Sequence, residues 1–123
     1  MINDLSKIVY EANQEKGFYD SEKNIGEMLC LIHSEVSEAL ECDRKDKYCD
    51  RQPTALQNMM KQNDETFKEM FSKLVKDTFQ DELADIMIRV MDLAGFKGID
   101  LEKHIELKMR YNALRPYKHE KKY

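Results

Sequence analysis

Apolar residues recur at three- and four-residue spacing along most of the chain, the period of an α-helix with one buried face. Ile2, Leu5, Ile8, Val9 and Ala12 predict a first helix that ends before Gly17. Lys16 to Asp20 reads as a loop. Asn24 and Glu27 have the form of a capping box. They open a second helix through Ile25, Met28, Leu29, Ile32, Val36, Ala39 and Leu40. That helix fades in the charged run Asp43 to Asp50, and Pro53 breaks it. A third stretch carries Leu56, Met59, Met60, Phe67, Met70, Phe71 and Leu74 on one face. It passes without a sharp boundary into a fourth helix, with Asp77 or Thr78 as its cap. Phe79, Leu83, Ile86, Met87, Val90, Leu93 and Ala94 mark that helix, and Gly95 and Gly98 close it. Asp100 is positioned to cap a fifth helix, which runs to about Arg115 before Pro116. The tail from Tyr117 is short, basic and expected to fray. The pattern predicts an all-α fold, an antiparallel bundle of about five helices with one buried stripe each.

Composition agrees with that picture. The 123 residues are 41% hydrophobic and 36% charged, with only four Gly and two Pro, too few turn-formers for many short strands. One domain with a modest core is expected over residues 1–123. The net charge of -4 gives no sign of nucleic-acid binding. No apolar run approaches a membrane span. Cys30, Cys42 and Cys49 are odd in number and form no CxxC pair, and no cationic-then-apolar leader follows Met1. A reduced cytoplasmic protein is the expectation, with the cysteines small buried or surface residues rather than nucleophiles.

Two carboxylate pairs share one spacing: Glu35-x-x-Glu38 and Glu82-x-x-Asp85. Acids three apart project from neighbouring turns of one helix. At roughly 100° per residue, Glu35 lies roughly 80–100° from a stripe centred on Val36, and Glu82 lies roughly 80° from one centred on Val90, in the same sense. If these two helices pack antiparallel, matching flanks fall on one side and all four acids share a patch. Two carboxylates about 5 Å apart repel by roughly 3 kcal/mol at an effective dielectric near 20. A bound cation, a proton or a neighbouring Lys or Arg must offset that. A donor set of oxygens alone points to Mg²⁺, with Mn²⁺ as a substitute, over zinc. Solvated helix faces also carry acids at this spacing, so a single pair has little weight. Glu41, one step further along the row, is a possible auxiliary acid; Asp81 and Asp92 are expected to be solvated.

The chain's end has a different character. From Lys103 onward there are seven Lys or Arg against two Glu. The inward face set by Leu101 and Ile105 continues as Lys108, Asn112 and Arg115, a polar ridge suited to phosphate oxygens. A helix C-terminus also favours cations through its dipole, which accounts for Lys108 and Arg115 but not for Asn112. Among the histidines, His33 is expected in the core with a partner and His104 at the surface.

Glu35-Val36-Ser37-Glu38 with Glu82-Leu83-Ala84-Asp85 resembles the ExxE…ExxD signature of the MazG-like all-α nucleoside triphosphate pyrophosphohydrolases. The Lys108-x3-Asn112-x2-Arg115 run is similar to that family's last helix, and the resemblance covers roughly residues 13–116. It implies a helical bundle completed as a homodimer or homotetramer. It also implies Mg²⁺-dependent cleavage of a nucleoside triphosphate between the α and β phosphates, giving the monophosphate and pyrophosphate. By matching positions, Glu35, Glu38, Glu82 and Asp85 would bind metal, with Glu35 or Glu38 orienting or deprotonating the attacking water. Lys108, Asn112 and Arg115 would hold phosphates. The Lys16-Gly17-Phe18-Tyr19 stretch resembles a loop that lies near the nucleotide in relatives, often with Trp. This chain has no Trp, so Phe18 or Tyr19 would supply base stacking. The forty-three residues between Glu38 and Glu82 exceed the compact family pattern, and residues 43–77 hold the extra length. The competing reading is a non-catalytic helical nucleotide-binding or protein-interaction module, with the Met-rich third stretch as its contact surface. A carboxylate di-iron bundle would need Glu-x-x-His pairs, and the chain has none.

Overall fold

The computed structural model describes residues 1–123, all of them helical or connecting, with no strand. Six α-helices follow one another: α1 (Ile2–Glu15), α2 (Ile25–Arg44), α3 (Pro53–Met60), α4 (Asp64–Leu74), α5 (Phe79–Lys97) and α6 (Leu101–Ala113). A short 3-10 turn spans Tyr117–Glu120. No helix is long and apolar enough to cross a membrane. The chain divides into two compact units, Met1–Glu22 with Val90–Tyr123, and Lys23–Arg89; the division falls within α5.

In the first unit α1 packs on α6. Glu102 near the start of α6 accepts from the backbone N–H of Ile2 at 2.7 Å and of Asn3 at 3.4 Å, so it caps the free donors of α1. Asn3 returns the contact, accepting from the Glu102 N–H at 3.1 Å. The buried Ser6 hydroxyl donates to the Met91 carbonyl. Gly95 lies inside α5, and it is Gly98, at φ +65°, that closes the helix. The role of Gly95 is close approach: a Cβ there would lie 2.8 Å from the Tyr10 Cβ and 3.1 Å from the Ser6 carbonyl oxygen. Gly95→Ala is therefore expected to destabilise the chain by about 1–3 kcal/mol, read as a lower midpoint in urea at unchanged slope.

In the second unit Asn24 caps α2, its side chain accepting from the Glu27 N–H at 3.0 Å. The predicted third helix is two helices. Asn63 accepts from the Thr66 N–H at 2.9 Å and starts α4 afresh after α3 ends at Met60. α2 and the first half of α5 run antiparallel, the arrangement that puts the matching flanks on one side. Glu35 pairs with Arg89, whereas Cys42, further along α2, donates to the Asp77 carbonyl, and Lys47 accepts from the Phe79 N–H.

Burial departs from the apolar count. Only part of the stripe centred on Val36 faces the core: Ala39 is buried and Ile25, Met28 and Ile32 are half-buried, but Leu29, Val36 and Leu40 are 47%, 48% and 49% exposed. The buried face of α2 is Glu35, Ala39 and Cys42, one stripe at i, i+4 and i+7. Small side chains at Ala39 and Cys42 let neighbouring backbone come close, which the bulkier row does not. His33 is likewise exposed rather than in the core.

Candidate functional site

Antiparallel packing of α2 against the start of α5 brings three of the four motif acids together. Oxygens of Glu35, Glu38 and Glu82 all lie within 4.8 Å of one another. The i, i+3 spacing puts Glu35 and Glu38 on adjacent turns of α2, and Glu82 enters from the facing helix. Glu35 and Glu82 are buried, 8% and 5% exposed, while Glu38 is exposed at the rim.

The three carboxyls are not equivalent. Burial opposes ionisation of Glu35, but the Arg89 guanidinium, with hydrogen bonds involving Glu38 and Glu82, holds it below the usual carboxylate range. The Arg89 Nε donates to the Glu35 Oε1 at 2.9 Å. Glu82 forms no ion pair. Burial, then the hydrogen bonds and charges of Glu38 and Glu35, push its carboxyl up to about 7. Its Oε2 is buried with no hydrogen-bond partner. A buried oxygen in that state carries a desolvation penalty until a proton or cation reaches it.

Asp85 is half-buried and stands outside the 4.8 Å cluster. Burial first, then the charges of Asp81 and Glu35, push its carboxyl up, with Arg89 opposing. A second cluster shares Glu82, with oxygens of Asp77, Asp81 and Glu82 within 4.8 Å. Asp81, expected to be solvated, instead accepts from the Asp77 N–H at 2.9 Å and is half-buried. Glu41 lies on the surface, paired with Arg44 at 3.1 Å and Lys45 at 3.8 Å.

Arg89 has no place in the motif, yet it sets the charge balance of the site. It was detectable: it lies seven residues after Glu82 and four after Asp85, on the same row of α5. The donor set suits a hard divalent cation, since every ligand atom is a carboxylate oxygen. Cys42 does not add a thiolate, because burial and then the Glu82 charge push its thiol up.

Lys108, Asn112 and Arg115 are gathered with one another in the first unit. They line a groove of about 630 Å³ together with Lys118 and His119 of the tail. In the turn that follows α6 an Arg115 guanidinium nitrogen donates to the His119 carbonyl at 3.3 Å. The Asn112 Oδ1 is buried without a partner. Phe18 is exposed, whereas Tyr19 stacks on Phe96, with ring centroids 5.1 Å apart, and meets Tyr10 edge-on at 4.9 Å. Burial and a hydrogen bond with Asp92 push the Tyr19 hydroxyl pKa up. Asp92, expected in solvent, thus belongs to the packing of this aromatic cluster.

No protein-family model, curated protein or solved structure matches the chain.

Proposed function

We propose that the chain is a Mg²⁺-dependent nucleoside triphosphate pyrophosphohydrolase of the MazG-like type, cleaving between the α and β phosphates. One observation carries the reading: three converging acids from two helices, one of them Glu82 with a buried, unpartnered oxygen. What Mg²⁺ or Mn²⁺ supplies there is positive charge for the phosphoryl oxygens and a lower pKa for the attacking water.

The chain's own residues divide the remaining work. Glu35, Glu38 and Glu82 would hold the cation, with Asp85 on the next turn of α5 the fourth acid of the motif. Arg89 fixes Glu35 in position and keeps it ionised. Glu38, at the exposed rim, orients the water and takes its proton. Lys108, Asn112 and Arg115 are assigned to phosphate oxygens on the pattern of the last helix, and Phe18 to stacking on the base. Three free cysteines fit a reducing cytoplasm.

The test is a panel of ribo- and deoxyribonucleoside triphosphates with and without Mg²⁺, products resolved by ³¹P NMR. Monophosphate with pyrophosphate supports the reading. Diphosphate with orthophosphate, or no turnover across the panel, overturns it.

The reading includes a homo-oligomer, dimer or tetramer. Leu29, Val36 and Leu40 on α2, with Leu83 and Met87 on α5, leave two apolar rows in water. Covering a half-exposed side chain of this size contributes roughly 1 kcal/mol. Val36→Lys is expected to shift the chain to monomer by size-exclusion chromatography with light scattering. A wild-type chain that is already monomeric would remove this part. The same rows favour the second reading, a non-catalytic interaction module, which expects no Mg²⁺-dependent stabilisation and no turnover.

A further inference from the structure

The acidic centre opens into a cleft of about 420 Å³ within the second unit. Glu38, Glu41, Asp77 and Glu82 line it, and so do Lys45 and Lys47. Neither lysine belongs to the acid motifs or to the Lys108, Asn112 and Arg115 ridge.

The segment carrying them is held in place at several points. The Lys47 N–H donates to the Cys42 carbonyl at 2.7 Å, and its carbonyl accepts from the Phe79 N–H at 2.9 Å. Two residues on, Cys49 is clamped by the Gln80 side-chain amide. The Cys49 N–H donates at 2.8 Å, and its carbonyl accepts at 3.0 Å. Between them the Tyr48 ring lies on Phe79 at 4.8 Å, and its hydroxyl donates to Asp43. A connection after a helix end usually moves. This one is fastened to both α2 and the start of α5, so the Lys47 stem starts from a fixed point beside the cleft.

The two lysines differ in what they have left to offer. The Lys45 ammonium lies 3.8 Å from a Glu41 oxygen, whereas Lys47 forms no ion pair. The charge on Lys47 nonetheless reaches the cleft wall, acting on both the Cys42 thiol and the Asp77 carboxyl. A free cation beside a cluster of acids is arranged for a ligand of both signs: a divalent metal on the acids and anionic oxygens reaching past it.

We propose that Lys47 binds the phosphate oxygens that leave as pyrophosphate, in the cleft that Glu38 and Glu82 also line. This deepens the reading of the acidic centre as a nucleotide-phosphate site and rests on it. Negative charge grows on the leaving pyrophosphate as the bond breaks, and a fixed ammonium stabilises it without reorganisation. Lys45, already paired, has the smaller part.

The test is calorimetric titration of inorganic pyrophosphate, with Mg²⁺ present, into the wild-type chain, Lys47→Gln, Lys47→Arg and Lys45→Gln. Helix content and Mn²⁺ affinity are checked in each. Lys47→Gln is expected to weaken pyrophosphate binding by about tenfold or more, Lys47→Arg by about threefold or less, and Lys45→Gln by less than Lys47→Gln. Mn²⁺ affinity is expected to stay unchanged in all three. Binding to Lys47→Gln within about twofold of wild type, or no binding to the wild type, overturns the proposal. Lys47-dependent binding without hydrolysis of any nucleoside triphosphate leaves the anion site standing and removes the pyrophosphohydrolase reading alone.

Discussion

Glu38→Gln is expected to lower Mg²⁺-dependent turnover by about 10²–10⁴-fold, the range a positioned general base contributes. The substitution keeps the side chain's shape and removes its charge. Glu38 is exposed, so the fold does not depend on burying it. Glu35 and Glu82 remain in the variant, and turnover is compared at saturating Mg²⁺, so that a weaker hold on the cation is separated from the loss in kcat. Glu41→Gln is the matched control. Its carboxylate sits on the same helix, already paired with Arg44 and Lys45, and lies outside both acid clusters. It is expected to keep the wild-type rate within about twofold. Equal rates for Glu38→Gln and wild type would remove the base assignment.

The second large effect is on stability and carries a sign. Glu82 titrates near 4.5 in the unfolded chain and at about 7 in the folded one. Between those values the folded state holds a proton that the unfolded state has released. Without metal, stability therefore falls as pH rises from 4.5 through about 7. Glu35 acts in the opposite direction. Its carboxyl is held below the ordinary value of 4.5, so its contribution is present above that pH and is lost only on stronger acidification. A cation bound to the ionised acids reverses the Glu82 penalty, and at about a hundredfold excess over Kd it adds roughly 2.7 kcal/mol.

Thermal midpoints should thus fall between about pH 5 and pH 8 in chelator. Mg²⁺ should restore them at the upper end and do little at the lower. Glu82→Gln, neutral at every pH, should be the more stable chain in chelator at about pH 8 and should lose the response to Mg²⁺. Midpoints that ignore Mg²⁺ in the wild type, or a Glu82→Gln chain less stable than wild type there, would contradict this balance of charges.

Much of the frame was legible in the residues. Asn24 and Asp100 announce helix starts, and both side chains accept the N–H three residues on. The matching flanks of Glu35 and Glu82 fall on one side only if their helices are antiparallel, and the order of contacts from Arg89 back to Asp77 runs that way. Less legible was which face of α2 is buried. Counting apolar residues selects Leu29, Val36 and Leu40 together with Ala39, without telling them apart. Close packing selects Ala39 and Cys42 because they are small, and it carries Glu35 inward with them. Periodicity also hid the break between α3 and α4, since Met59 and Phe67 continue one stripe across it. The local signal, Asn63 followed by Thr66, was there to be read.

The site followed the same logic. Spacing located Glu35, Glu38 and Glu82, but it gave no weight to Arg89, whose value lies in a partner fifty-four positions away. Lys47 was equally silent. Nothing in the run Asp43 to Asp50 marks one lysine as fixed, and only the bonds to Cys42 and Phe79 and the clamp by Gln80 do so. Asp92 looked like a surface acid until Tyr19 came against it.

The central claim is that Glu35, Glu38 and Glu82 hold one divalent cation between α2 and the start of α5. Mn²⁺ titration followed by electron paramagnetic resonance, in the wild-type chain and in Glu82→Gln, tests it most directly. The account predicts a saturable site in the wild type at about pH 8 that Mg²⁺ competes away, and its loss in Glu82→Gln at unchanged helix content. Identical Mn²⁺ binding by the two chains would contradict it.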